Sequence, residues 1–376
     1  GFLNYFIFLL DLVFKEYLPS KFSPFIYMGR GNDGLVHYGH GREIAENLSN
    51  GNFLIALRGG ADVFHWMPGL RYFHSISFFI FGETILGYLL LGLVFPFIIL
   101  NLLKKYFTKK SSILLILIFL ILPIFESYGF FGFYYMKLIA KGFGGTLGWF
   151  CLMLSVYLLL LNNNNTNLKK FTNTFFAGFL LIILISCRPN LIPTVLFLNL
   201  GFLFLFRKNF YKFFGLIVGS SFFFLFLAHN YFYGGDLSLI TNSSSTLRNM
   251  PISPILWIKF ISQLFKFQFD YDLCLKLFSH ISIWINFYEI WLMLAIFSLI
   301  GLIFNKKFSK SLKIISLSLL MGHSIYIFYA GVPRYTYGLW LLSFIIMLIY
   351  LNEKFKTSII YNNFINKILN FEFYKF

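Results

Sequence analysis

"TILGYLLLGLVFPFIILNLLKK", Thr84 to Lys105, sets about twenty mostly apolar residues in front of a pair of lysines. A helix of roughly that length crosses the hydrocarbon core of a bilayer. The pattern recurs along the chain. Further spans are expected near 112–128, 143–161, 171–187, 191–206, 213–231, 284–304, 313–331 and 335–351, with a truncated one at 1–14. The chain has 376 residues, is 58% hydrophobic and 12% charged, and has a mean hydropathy of +0.75. That is more apolar surface than a soluble domain can hide. The expected fold is therefore an all-α polytopic membrane protein of about ten transmembrane helices. Phe occurs 54 times, so single phenylalanines are read as compositional bias.

The lysines supply the orientation. Seventeen of the 31 Lys and Arg residues fall in alternate loops and the tail, from Lys104 and Lys105 through Lys169, Lys170, Arg207, Lys208, Lys306 and Lys307 to Lys354. Only two of the 14 acids, Glu353 and Glu372, accompany them. Basic loops stay on the cytoplasmic side, so these loops and both termini are expected there. The net charge of +17 is then topological and does not mark a nucleic-acid surface. Residues 1–351 read as one transmembrane domain and 352–376 as a short cytoplasmic tail. The initial Gly1 suggests an N-terminal fragment. Cys151, Cys187 and Cys274 lie far apart with no CxxC, which points to inert membrane thiols and to neither zinc nor a disulfide framework.

The opposite face carries two long loops, about 15–83 and 232–283. The first holds "NDGLVHYGHGRE" (Asn32 to Glu43), a polar knot in a greasy chain. Asn32 or Asp33 can cap a helix over 35–48, ended by Gly51. Asp33, His37 and His40 then share one face. The helix N-terminus favours a charged Asp33, able to take a proton from a hydroxyl. A plain N-cap and ordinary interfacial histidines are the simpler alternative. Asp33, His37, His40 and His65 can also gather a divalent metal, although the ligand spacing is loose. "RGGADVFHWMPGLRYF" (Arg58 to Phe73) adds Asp62, His65 and Arg71, with turn glycines and then Pro68 opening a second short helix. Two amphipathic helices on the outer leaflet are expected.

Other charges stand at the outer ends of spans: Glu126, Lys137, Lys141, Arg188 in "SCRPN" and Arg334 in "VPRYTYG". Charges at membrane depth are costly and face polar cavities. Arginine suits a phosphate through paired hydrogen bonds. Snorkelling is the simpler reading for each alone, above all for Lys137 and Lys141.

On these residues the chain resembles the GT-C glycosyltransferases that use polyprenyl-phosphate sugars. That group, similar to glycosyltransferase family 39, includes protein O-mannosyltransferases and the lipid A aminoarabinose transferase. The likeness rests on Asp33 in "GNDGLVHYGHGREI" and on "MPGLRYFHSISFFIFGE", with "GFGGTLGWFCLMLSVYLLL", "AGFLLIILISCRPN" and "VPRYTYGLWLL" further on. The sequence departs from the family's acidic pair, having Asn32-Asp33-Gly34, and from its paired prolines, having Met67-Pro68-Gly69. The resemblance implies an inverting transfer at the extracytoplasmic face, and the short loops point to a bacterial inner membrane. Asp33 and Glu126 would be the catalytic acids, with Asp62 behind Glu126. Arg188, Arg334, Lys137 and Lys141 would hold the donor phosphate. His37, His40, Asp62, His65 and Arg71 would support the loop or the acceptor. The implied partners are a polyprenyl-phosphate sugar, a glycan, lipid or protein acceptor, and the bilayer, without nucleic acid. The second loop, which carries Lys259, Lys266 and Lys276, is expected to cover the cavity and help choose the acceptor, with Arg248 a candidate to reach the donor; a passive connector is the alternative. A transporter or flippase, or an O-antigen polymerase or ligase, are the rival readings. The absence of an evident internal repeat and the one-sided clustering of ionisable residues favour an enzyme.

Overall fold

A computed structural model describes residues 32–60, 63, 67–84, 86–121, 123–125, 129–130, 135, 138–139, 142–161, 166–239, 254–284, 290–328 and 333–355. The expected first span at 1–14 and the tail beyond 355 lie outside them. The described chain is helical apart from one short antiparallel pair, Pro123–Phe125 with Gly129–Phe130. Helices α1 (Asn32–Ser49), α2 (Phe53–Arg58) and α3 (Gly69–Phe81) come first. Then follow α4 (Leu86–Leu103), α5 (Lys109–Ile121), α6 (Gly145–Leu159) and α7 (Asn167–Cys187). A 3-10 turn at Pro189–Leu191 leads into α8 (Ile192–Phe206), α9 (Phe210–Ser220) and α10 (Phe223–Gly234). Helices α11 (Pro254–Phe265) and α12 (Tyr271–Trp284) precede α13 (Ile290–Phe304) and α14 (Lys310–Ser324). A second 3-10 turn, Ile325–Ile327, and α15 (Pro333–Phe355) complete the order.

Among the described residues, five segments are long and apolar enough to cross a membrane: Leu86–Leu103, Asn167–Cys187, Pro189–Phe206, Phe210–Gly234 and Arg334–Phe355. Helices α6 and α13 are apolar but shorter. Differences from the expected spans have local causes. The span expected over 112–128 stops as a helix at Ile121 and turns extended at Pro123, since proline biases the residue before it away from helix. The span expected over 213–231 is two helices, with a turn at Ser221 and Phe222. Among the described residues, side chains cap the starts of five helices: Thr108 for α5, Thr166 for α7, Asn209 for α9, Asp270 for α12 and Ser309 for α14. Each accepts a backbone N–H that the helix itself leaves unpaired.

Close packing depends on small residues. Helices α7 and α9 run side by side, and a Cβ on Gly219 would stand 2.0 Å from the Phe175 carbonyl oxygen. Gly215, one turn earlier, meets Phe171 in the same way. This Gly-xxx-Gly face lets two backbones touch where lipid gives no hydrophobic drive.

The bundle has two distinct ends. Antiparallel α8 and α14 touch through Gly201 with Ile314 and through Thr194 with Gly322. That pairing sets Phe206 beside the start of α14. At this end Lys105 Nζ donates to the Leu160 carbonyl at 2.5 Å and Lys212 Nζ to the Leu161 carbonyl at 3.3 Å. Lys105, Lys212 and Lys310, which opens α14, thus lie at one end. The polar, aromatic turns around Arg188, Tyr326 and Arg334 lie at the other.

Candidate functional site

The site is built at the end away from the lysine loops. Helix α1 lies on α3 because Gly41 gives no side chain at the crossing; a Cβ there would sit 2.5 Å from that of His74. The Arg42–Glu83 ion pair joins α1 to the segment after α3. Helix α3 in turn meets the end of α7, where Gly69 rests on Ser186. Arg71 is only 1% exposed, and its Nη1 donates to the Gly59 carbonyl at 2.6 Å, beside the left-handed Gly59 that ends α2. Burial lowers Arg71 to about 10, and it stays charged at neutral pH.

The expectation of two amphipathic helices in this loop understates it, because α2 lies between them. Its exposed Phe53, Leu54 and Ile55 form an apolar edge. Its carbonyls are held from α10: His229 Nε2 pairs with the Leu57 oxygen at 2.9 Å and Tyr233 donates to the Leu54 oxygen at 2.8 Å. The segment expected as the second outer loop contains two described helices, α11 and α12. They dock on the second 3-10 turn through Trp257 Nε1 to the Ile327 oxygen at 3.1 Å and His280 Nε2 with the Tyr326 oxygen at 3.0 Å.

Arg188 and Arg334, 146 positions apart, meet on one aromatic ring. Arg188 Cζ lies 5.0 Å from the Tyr335 ring centroid and Arg334 Cζ lies 4.9 Å from it. The two Cζ atoms are therefore within about 10 Å of each other, where a pair of unit charges repels by about 1.7 kcal/mol at an effective dielectric near 20. Arg334 Nη2 also donates to the Tyr335 hydroxyl at 2.8 Å, and its Cζ lies 5.2 Å from the Phe143 ring. The aromatic faces offset part of the repulsion. Arg188 caps the C-terminus of α7, and its side chain runs along the first turn of α6. A Cβ on Gly145 would be 3.1 Å from Arg188 Nη2 and 3.0 Å from Trp149 Nε1. The ring is fixed from behind: Asn190 Nδ2 donates to the Tyr326 hydroxyl at 2.8 Å, which donates to the Tyr335 carbonyl at 2.6 Å.

His37 lies within the electrostatic reach of Arg188. Burial first, then the charges of Arg71, His74, Arg188 and His40, lower it to about 3. Burial alone lowers His74 to about 4, where it stacks on Tyr88 with centroids 5.1 Å apart. Both imidazoles are neutral at neutral pH, so the positive field belongs to the arginines. Among the described residues, the buried His74 Nε2 has no hydrogen-bond partner.

Of the residues singled out in the sequence, Arg188 and Arg334 come together, with His37 and Arg71 on the overlying helices. His40 instead pairs along its own helix with Glu43 at 3.4 Å. Asp33 stands in the first described turn of α1, one turn from His37; its side chain lies outside the described residues. So do Asp62, His65, Glu126, Lys137, Lys141 and Arg248. Lys259 faces Asp270 at 3.7 Å. Among the described residues no three of His, Cys, Asp and Glu gather as metal ligands. Sequence reasoning missed Tyr335, Tyr326, Asn190 and His74. The available signal was adjacency, since each lies within three positions of an arginine already noted or of a helix-ending turn.

No family model, curated protein or solved structure matches the chain.

Proposed function

We propose that this chain is a membrane glycosyltransferase that moves a sugar from a polyprenyl-phosphate donor to an acceptor hydroxyl, with inversion. The supporting observation is the meeting of Arg188 and Arg334 on Tyr335 under the α1–α3 cap. Two guanidinium groups within about 10 Å suit the phosphate that departs with the lipid, because its charge grows as the glycosidic bond breaks. In this reading the polyprenyl tail stays in the bilayer. Asp33 accepts the acceptor's hydroxyl proton while the oxygen attacks the anomeric carbon. The bond to the phosphate oxygen breaks, and polyprenyl phosphate leaves as the anion held by the arginines. Lys137 and Lys141 assist with the phosphate, and Glu126 serves as the second acid. About ten spans, a bacterial inner membrane and an extracytoplasmic site belong to the same proposal.

The test uses the full chain reconstituted in lipid with a polyprenyl-phosphate sugar, following release of polyprenyl phosphate. Asp33→Asn should lower release by about 100- to 10,000-fold, the usual worth of a general base. Arg188→Gln and Arg334→Gln should each weaken donor capture while the thermal transition holds. Undiminished release by Asp33→Asn removes that residue from the reaction. Uptake of solute into liposomes without bond cleavage replaces the transferase with a transporter.

A further inference from the structure

At the lysine-bearing end, the C-termini of α13 and α15 and the turn into α14 enclose a cleft of about 510 Å³. Asn305, Lys306, Lys307, Glu353 and Lys354 line it, with Gly301 and Phe304 on the α13 side. Its shape is built in. Gly301 admits the Tyr350 ring against α13, where a Cβ would lie 2.7 Å from the Tyr350 hydroxyl. Lys354 Nζ sits 5.8 Å from the centroid of that ring. Asn305 Oδ1 accepts from the Lys307 backbone N–H at 3.0 Å, fixing the turn that carries both Lys306 and Lys307.

The charge balance selects an anion. Lysines at helix C-termini ordinarily answer the helix dipole, about half a negative charge per helix. Two helix ends and Glu353 together offset roughly two of the three lysines. About one positive charge remains, and the N-terminus of α14, capped by Ser309, adds to it. One net charge matches a phosphodiester.

The neighbouring surface selects a lipid over a soluble anion. Trp291, Leu294, Phe297, Ile300 and Phe304 are all exposed on α13, at successive spacings of three, three, three and four. Because each step of three turns back by about 60°, they form an apolar stripe that winds round α13 to the mouth of the cleft, where Phe304 is 80% exposed. At 1.5 Å per residue the stripe is about 20 Å long, enough for acyl chains filling one leaflet of about 15 Å. We propose that the cleft binds the phosphodiester headgroup of an anionic phospholipid whose acyl chains lie along this stripe. Basic pockets between membrane helices recognise such headgroups. The site is at the opposite end from Arg188 and Arg334, and it does not depend on the transferase reading.

The full chain, purified and delipidated in detergent, is titrated with phosphatidylglycerol and with phosphatidylcholine of the same acyl chains, and bound lipid is counted by native mass spectrometry. Wild type should retain one phosphatidylglycerol in preference to phosphatidylcholine. Lys306→Gln/Lys307→Gln/Lys354→Gln should weaken that retention by about 100-fold, from the typical contribution of each lysine near an anionic headgroup. Lys109→Gln/Lys110→Gln/Lys208→Gln removes the same charge from positions outside the cleft and should retain the lipid. Phe304→Ser keeps the cleft charges and should weaken lipid retention. An equal loss in both triple variants, equal retention of the two lipids, or displacement of phosphatidylglycerol by equimolar inorganic phosphate overturns the proposal.

Discussion

Acidification should loosen the cap over the arginines. His37 and His74 are held neutral, lowered from 6.5 to about 3 and about 4 respectively. A group with a depressed folded pKa contributes stability that is complete above its unfolded value and is lost as pH falls toward the folded one. The affected window therefore runs from about pH 6.5 down to between 3 and 4. At about pH 5 the detached state binds a proton at each imidazole and the docked state at neither, which disfavours docking by about 2 kcal/mol per histidine. The two groups interact, so roughly 3 to 4 kcal/mol is the combined expectation. The strain is local, because both histidines lie at the α1–α3 crossing where Gly41 meets His74. Hydrogen exchange, corrected for its intrinsic pH dependence, should show α1 amides losing between about 100- and 1,000-fold protection from pH 7.5 to 5. Amides of α7 should not follow. His37→Gln/His74→Gln should flatten the pH dependence, and either single change should leave about half of it on the logarithmic scale. Protection of α1 that stays level between these pH values, measured against α7, would refute the assignment of buried neutral histidines as the hinge of the cap.

Two further outcomes test the scaffold behind the arginines. Gly338→Ala puts a Cβ 2.2 Å from the ring of Trp149, which is wholly buried. It should destabilise the chain by about 1–3 kcal/mol through overpacking, seen as a lower thermal transition, and Trp149→Leu in the same chain should recover part of it. Tyr326→Phe removes the hydroxyl between Asn190 and the Tyr335 carbonyl. A loss of about 1–3 kcal/mol is expected from the unsatisfied groups left behind, with donor capture weakened further than in Gly338→Ala of matched stability.

The sequence was legible where a one-dimensional signal suffices. Hydropathy located the segments that became α4, α7, α8 and α15, whereas the caps Thr166, Asn209 and Ser309 carry a local signal that hydropathy does not weigh. It was less legible where the local signals conflict. Residues 112–128 are apolar enough for a span, yet Pro123 diverts the backbone. Helices α11 and α12 fall in a segment read as loop; α11 has its apolar spacing in plain view at Ile255, Ile258 and Ile261, but the run is too short to separate from loop on hydropathy alone.

The arginine pair shows where such reading stops. Arg188 follows the end of one span and Arg334 begins another, and each is next to a proline that marks a turn. Counting spans puts both at the same end of the bundle, but it says nothing of which helices are neighbours. That is decided by α6. Its glycines at 145 and 148 leave a path for the Arg188 side chain, while Trp149 on the same helix packs on Gly338 of α15. Helix α6 therefore draws α7 and α15 toward each other, and Tyr335 fills the gap with a ring both guanidinium groups can use. A substitution that widens α6 at Gly145 should separate the two arginines without touching either. The proximity is a property of three-helix packing, which no motif of consecutive residues encodes.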